Sequence, residues 1–95
     1  MKRAQAPARD ELTTIPGIGP SLAGDLRDLG VRSVAYLRRR DPGRLYEQLQ
    51  VLRGAHQDPC VLYAFRCAVY YARTPKPKPM LLKWWNWKDR ELASR

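Results

Sequence analysis

The fold of this protein is decided by residues 12–23, which read Leu12-Thr13-Thr14-Ile15-Pro16-Gly17-Ile18-Gly19-Pro20-Ser21-Leu22-Ala23. Residues 16–20 contain two prolines and two glycines, and such a run cannot continue a helix. We therefore predict a tight turn and call residues 16–19 the glycine turn. Pro20 suits the first position of a following helix, because the N–H that proline lacks has no partner there. Ile18, between the two glycines, is expected to enter the core and fix the shape of the turn.

Cap and proline signals divide the rest of the chain into helices, whereas strand signals are weak. Gly30 ends the helix that Pro20 begins, and Gly54 ends a later one. The helix after residue 58 is apolar almost all round, which predicts the central helix of the fold. We expect an all-α, five-helix domain with helices beginning at about Pro7, Pro20, Ser33, Asp41 and Asp58; the first runs to about Thr14 and the fifth to about Ala72.

The composition of the chain changes after residue 74. We predict a disordered N-terminus at residues 1–6, a helical domain at 7–74, and at 75–95 an extended Pro/Lys linker and Trp-rich segment that packs on the helical domain. The three tryptophans fall within residues 84–87, too apolar a stretch for a solvated tail. Three uses remain open for them: covering an exposed edge of the core, stacking on bases of a single strand, or anchoring at a membrane interface.

The charge balance points to a polyanionic partner. The chain has 95 residues, enough for one domain, with 18 Lys and Arg against 9 Asp and Glu, a net charge of +9. Nucleic acid is the first candidate and an anionic membrane surface the second. No segment is long and apolar enough to span a bilayer, and no secretory signal is seen, so we expect a cytoplasmic, nucleoid-associated protein without a membrane partner.

Catalytic and metal-binding patterns are missing from the sequence. It has one histidine, no paired-carboxylate pattern and no nucleophile placed beside a base, so we predict that the protein is not an enzyme. Cys60 and Cys67 lie about 10 Å apart on one predicted helix, too far for a disulfide, which needs less than about 7 Å. With His56 they do not have zinc-ligand spacing, and we interpret both cysteines as small buried apolar residues.

The glycine turn has the chemistry of an anion site. Glycines at 17 and 19 carry no Cβ, so a partner atom can approach the backbone closely. The first amides of the next helix lack intrahelical acceptors and lie at the positive end of the helix dipole. In a basic domain, phosphate is the expected anion.

The same residues resemble the helix-hairpin-helix motif of DNA repair and recombination proteins, a SAM-like helical fold. The string Gly17-Ile18-Gly19-Pro20-Ser21 carries the resemblance, and residues 29–37 continue as that motif commonly does. Over nearly its whole length the chain also resembles a small bacterial family of pathogenicity-locus or mitomycin-resistance-like proteins. That resemblance rests on strings such as residues 60–63, 65–68 and 84–89.

The resemblance implies DNA binding that is not sequence-specific, because the motif contacts the phosphate backbone. It assigns phosphate contacts to the backbone at Gly17, Ile18, Gly19, Ser21 and Leu22. The main-chain carbonyls of Thr13, Ile15 and Ile18 would hold a monovalent cation, potassium or sodium, when DNA is bound, and no other cofactor is implied.

Charged residues around the glycine turn complicate this interpretation. Asp25 and Asp28 follow where related hairpins often carry basic residues, so we expect them to repel phosphate and leave Arg27 as the nearby cation. Arg38 and Arg39 either track a neighbouring phosphate or form a solvated helix end. The lysines of the tail are either a DNA-following arm or a soluble linker.

Two interpretations of the whole domain stay open. The first is DNA binding through the glycine turn in repair, recombination or uptake, with self-association or further contacts to add affinity. The second is a helical adaptor that binds a protein partner and no nucleic acid. Tyr63, Arg66 and Tyr70, one stripe of the last helix, are interpreted as a packing ridge in preference to a binding face.

Overall fold

A computed structural model describes residues 11–92 of the chain. These residues form an all-α fold with four α-helices and no strand: α1 is Pro20–Asp28, α2 is Val34–Leu37, α3 is Pro42–Arg53 and α4 is Pro59–Arg73. Three short 3-10 helices, Glu11–Thr14, Pro79–Leu82 and Trp84–Trp87, complete the described part. The predicted disorder of residues 1–6 lies outside the described residues.

The prediction of five α-helices was wrong at the first helix. Where a helix to about Thr14 was expected, residues 11–14 form one 3-10 turn, and residues 7–10 lie outside the described part. The Thr14 hydroxyl donates to the Glu11 carbonyl at 2.6 Å, a local bond that competes with an α-helical ladder. Pro16 then prevents the turn from lengthening.

The other helix boundaries follow the sequence signals closely. Asp41 and Asp58 cap α3 and α4 through side-chain bonds to the amides of Gly43 and Cys60, at 2.9 and 2.8 Å. The bond to the Cys60 amide also lowers the pKa of the Asp58 carboxyl. Gly54 ends α3 with a φ of +66°.

The core is built around α4, as its apolar sequence predicted. Helix α4 contacts α2, α3 and both 3-10 helices of the C-terminal segment. Phe65 is fully buried at its centre, and Leu12, Ile15, Ile18, Leu26, Val31, Leu37, Leu45 and Leu49 pack into the same cluster. Ile18 is 3% exposed, so its side chain does anchor the glycine turn in the core as expected.

The Trp-rich segment docks on α4. Trp87 is 2% exposed, its indole Nε1 donates to the Leu81 carbonyl at 2.9 Å, and its ring lies 5.4 Å from that of Tyr70. Arg66 donates to the Trp87 carbonyl at 2.8 Å and lies over the Tyr63 ring. The tyrosine–arginine stripe of α4 is therefore a packing ridge, and the segment covers one edge of the core.

Candidate nucleic-acid interface

The glycine turn is held at both ends and bends at one left-handed residue. Gly17 has a φ of +86°, a conformation that side chains rarely adopt. The Ile18 amide donates to the Ile15 carbonyl at 3.0 Å, which closes the turn beneath the buried Ile18 side chain. Ile18 can therefore contribute only its backbone carbonyl to a partner, because its side chain and its amide are both engaged.

Four backbone amides at this turn have no acceptor among residues 11–92: those of Gly17, Gly19, Ser21 and Leu22. The first amide of α1 with a helical bond belongs to Ala23, which donates to the Gly19 carbonyl at 2.9 Å. Gly19 is the N-cap residue and offers no side chain to cap the helix. The four amides that sequence analysis selected are thus clustered at one helix end.

The two glycines differ in what faces them. A Cβ placed on Gly19 would meet no atom within 4 Å, whereas one on Gly17 would lie 3.2 Å from Cδ1 of Trp84. Both residues are nonetheless exposed. The Trp84 ring therefore supports one side of the turn, and the Gly19 side is open to a partner.

A buried thiol joins the turn to the tail. Cys67 Sγ lies 3.8 Å from the Pro16 carbonyl oxygen and 3.6 Å from that of Leu81. Burial raises the pKa of the Cys67 thiol to about 11, so the group stays neutral. The turn is thus packed between α4 and the C-terminal segment, and no sequence pattern predicted this contact.

The acidic residues of α1 are paired, which sequence analysis did not anticipate. One nitrogen of Arg53 lies 2.7 Å from a carboxylate oxygen of both Asp25 and Asp28. These two hydrogen bonds raise the pKa of Arg53. The guanidinium offsets one of the two negative charges, so repulsion of a phosphate at this helix is weaker than the sequence alone implies. Arg53 and the carboxylates are 25 and 28 positions apart, and nothing local signals the pairing.

Arg38 and Arg39 lie in the turn after α2 and line an open cleft of about 440 Å³ together with Ala35 and Arg73. No residue of the glycine turn lines this cleft. Arg38 Nε donates to the Ala72 carbonyl at 3.2 Å and Arg73 Nε donates to the Arg38 carbonyl at 3.1 Å. These two bonds hold the guanidinium groups of Arg38 and Arg73 at the cleft. Arg73 was not among the residues predicted from the sequence.

The remaining predicted residues lie on or near α1. Arg27 is exposed on α1, one to two turns beyond the amide cluster. Thr13 and Ile15 precede the glycine turn in the chain, and Ile18 lies within it. Each carbonyl oxygen has two lone pairs, so that of Ile15 keeps one beyond its bond from Ile18. Carbonyl oxygens are ligands of the type that hard cations take.

Further observations concern residues outside the turn. The described residues contain no group of three His, Cys, Asp or Glu side chains able to hold a metal ion. Both cysteines are free thiols, but Cys60 is exposed, so the expectation that it is buried was wrong. It occupies the first turn of α4, where Pro59 and Cys60 are both exposed. None of the described helices is long and apolar enough to cross a membrane.

Comparison with known proteins gives the family. The family described as Cdd1, Pathogenicity locus, matches residues 5–93. The mitomycin resistance protein McrB of Streptomyces lavendulae is 35% identical to the chain over 77 residues, covering 81% of this chain and 70% of that protein. No solved structure matches the chain significantly. Because the family match spans residues 5–93, the chain belongs to the pathogenicity locus family.

Proposed function

We propose that this protein binds DNA without sequence specificity, through the backbone amides of the glycine turn and of the first turn of α1. The observation that carries the proposal is the open cluster of amides at Gly19, Ser21 and Leu22 in a chain of net charge +9. Amides without acceptors at a helix N-terminus bind phosphate oxygens well, and charge-assisted bonds of this kind contribute about 1.5–3 kcal/mol each before ordering costs.

The proposed contact belongs to the helix-hairpin-helix type that residues 12–23 resemble. The carbonyls of Thr13, Ile15 and Ile18 would hold a monovalent cation that bridges to a phosphate. Arg27 would add charge beside the same strand. Arg38 and Arg39 would contact a separate phosphate at their own cleft, since no residue of the turn reaches it. All of these contacts address the sugar–phosphate backbone and none reads a base edge.

Binding of this kind would suit a repair, recombination or uptake setting at the bacterial nucleoid. The relative named for mitomycin resistance suggests a role under drug exposure, and we extend that to this chain as part of the proposal. One turn alone gives weak binding, in the micromolar range by the number of bonds it offers, so the arginine cleft or self-association supplies further affinity.

A protein adaptor without a nucleic-acid partner is the second candidate. It is favoured by the exposure of Val51 and Leu52 on α3, at 82% and 50%. Exposed apolar side chains mark a protein contact where they form a contiguous patch. An apolar contact would resist salt, whereas phosphate binding would not.

The test is a fluorescence-anisotropy titration of labelled DNA with the wild-type protein and Gly19→Asp. The substitution fits the open space at Gly19, whose φ of −88° suits any residue, and its carboxylate repels phosphate while capping the same amides. We expect affinity to fall at least about ten-fold, the equivalent of one lost charge-assisted bond. Val51→Asp adds the same charge on α3 and should change binding little. Equal losses in the two variants, or none in Gly19→Asp, would remove the site from the turn.

A further inference from the structure

Trp85 is the one tryptophan of the C-terminal segment whose ring is mostly in solvent. It is 56% exposed, whereas Trp87 is 2% exposed and Trp84 is partly buried against the core. Exposing a large aromatic surface to water is unfavourable, and packing does not account for it here. The position of Trp85 therefore needs another explanation.

Trp85 contacts Trp84, whose side chain packs on the glycine turn. The Trp84 side chain faces Gly17, with Cδ1 3.2 Å from the position of a Cβ there. The Trp84 and Trp85 rings form an edge contact, with centroids 5.7 Å apart and planes at 86°. In such a pair at most one face of Trp85 is covered, so at least one face stays available for stacking.

Hydrogen bonds on both sides of Trp85 hold the backbone of the segment that carries it. The preceding residues form a 3-10 helix, and the Asn86 side chain donates to the Met80 carbonyl at 2.7 Å. On its other side, Trp87 is fixed by the bond from Arg66 to its carbonyl. The ring is thus presented from an ordered segment, which lowers the entropy lost on binding.

The charges beside Trp85 suit a nucleic-acid strand. Lys83 and Lys88 are exposed two and three positions away, and in this segment the exposed cations Lys83, Lys88 and Arg90 outnumber the exposed acids Asp89 and Glu91. An exposed aromatic ring with flanking cations is the arrangement that binds unpaired bases, because the cations follow the phosphates while the ring stacks on a base. A base paired inside a duplex is already stacked on its neighbours and does not offer its face.

We propose that Trp85 stacks on an unpaired nucleobase of the DNA strand whose phosphate is bound at the glycine turn. This inference rests on the proposed function and narrows its substrate to DNA with unpaired bases, such as single strands. The turn binds the backbone of either form of DNA, and Trp85 adds affinity for the single-stranded form.

The experiment compares a labelled single strand with the duplex that it forms with its complement. Trp85→Ala should weaken single-strand binding between about five-fold and about 150-fold, the range for loss of one stacked base, and change duplex binding less than two-fold. Trp85→Phe keeps a ring and should retain most of the single-strand affinity. Met80→Ala removes another exposed apolar side chain of the segment (55% exposed) and should leave both affinities unchanged.

Tryptophan fluorescence gives a second readout that does not depend on affinity. At saturating single strand, the wild-type emission should be quenched by stacking, and Trp85→Phe should lose most of this quenching while still binding. Circular dichroism of every variant checks that the helices are intact.

The outcomes separate this inference from the proposed function. Single-strand and duplex affinities that both survive Trp85→Ala, or fall by the same factor, would overturn the stacking and leave binding at the turn intact. Wild-type protein that binds neither form of DNA would overturn both proposals. Loss of self-association in Trp85→Ala, with DNA binding unchanged, would assign the ring to a protein contact instead.

Discussion

Exchanging each glycine of the turn for alanine should have unequal effects on stability, because the two positions differ in backbone and in space. At Gly17 the φ of +86° strains any side chain by about 1–2 kcal/mol. The added methyl would also lie 3.2 Å from Cδ1 of Trp84, inside the optimal carbon–carbon separation of about 3.5–4.0 Å. Trp84 must then shift, which loosens the contact between the turn and the C-terminal segment.

At Gly19 the same methyl enters open space. The φ of −88° is allowed for alanine, and nothing lies within 4 Å. The loss of a good N-cap residue and the reduced entropy of the unfolded chain are both about 0.5–1 kcal/mol and have opposite signs. Gly19→Ala should therefore be close to neutral for the free energy of unfolding.

Thermal unfolding followed by circular dichroism measures the difference. For a domain of this size each kcal/mol shifts the midpoint by about 4–8 °C, so Gly17→Ala should melt about 5–15 °C below wild type and Gly19→Ala within a few degrees of it. In a Trp84→Ala background the steric part of the Gly17 cost should vanish and the backbone strain remain. Equal midpoints for the two alanine variants would refute the assigned geometry of the turn.

Three further predictions concern residues around the turn. Arg53→Gln leaves the carboxylates of Asp25 and Asp28 on α1 unneutralised and should weaken DNA binding about two-fold to five-fold. Arg44→Gln removes an equal charge outside that ion pair and should weaken binding less. Anisotropy titrations of the two variants measure the difference. Trp87→Ala empties a buried site and should lower the free energy of unfolding by about 3–5 kcal/mol in a denaturant titration; a loss below about 1 kcal/mol would mean that the segment is not docked. Thiol labelling should modify exposed Cys60 in the folded protein and Cys67 only after unfolding. A hydrogen bond between the Cys60 thiol and the Asp58 carboxylate raises the pKa of that thiol. The labelling rate of Cys60 should therefore still be rising with pH above about 8.5, and a rate that levels off below that pH would contradict the assignment.

Local signals in the sequence were sufficient to predict most helix ends. Asp41 and Asp58 each precede a proline and cap a helix, and Gly54 ends one in the left-handed conformation, because these effects depend on neighbouring residues alone. Residues 11–14 did not form the α-helix predicted there, because so short a segment gains little from helix propensity and the Thr14 hydroxyl bonds to the nearby Glu11 carbonyl. The hydroxyl of Ser33, at the N-cap of α2, makes no capping bond although the position was predicted.

The candidate site was predictable where it is contiguous in sequence and not where it is assembled by tertiary contacts. The four amides without acceptors are within six residues of one another, and the glycine and proline pattern identifies them. The pairing of Arg53 with α1 and the packing of Trp84 on Gly17 are tertiary contacts between segments far apart in the sequence. The periodicity of apolar residues predicts secondary structure and does not predict such contacts.

The central claim is that the glycine turn and the arginine cleft bind DNA phosphates. The salt dependence of wild-type binding to duplex DNA tests this claim most directly. Contacts with two to four phosphates, at the glycine turn and the arginine cleft, predict a slope of about −2 to −4 for log affinity against log salt concentration. Raising salt from about 50 to about 200 mM should then weaken binding between about ten-fold and about 200-fold. An affinity that stays constant over that range, or an absence of binding at the lowest salt, would contradict the account.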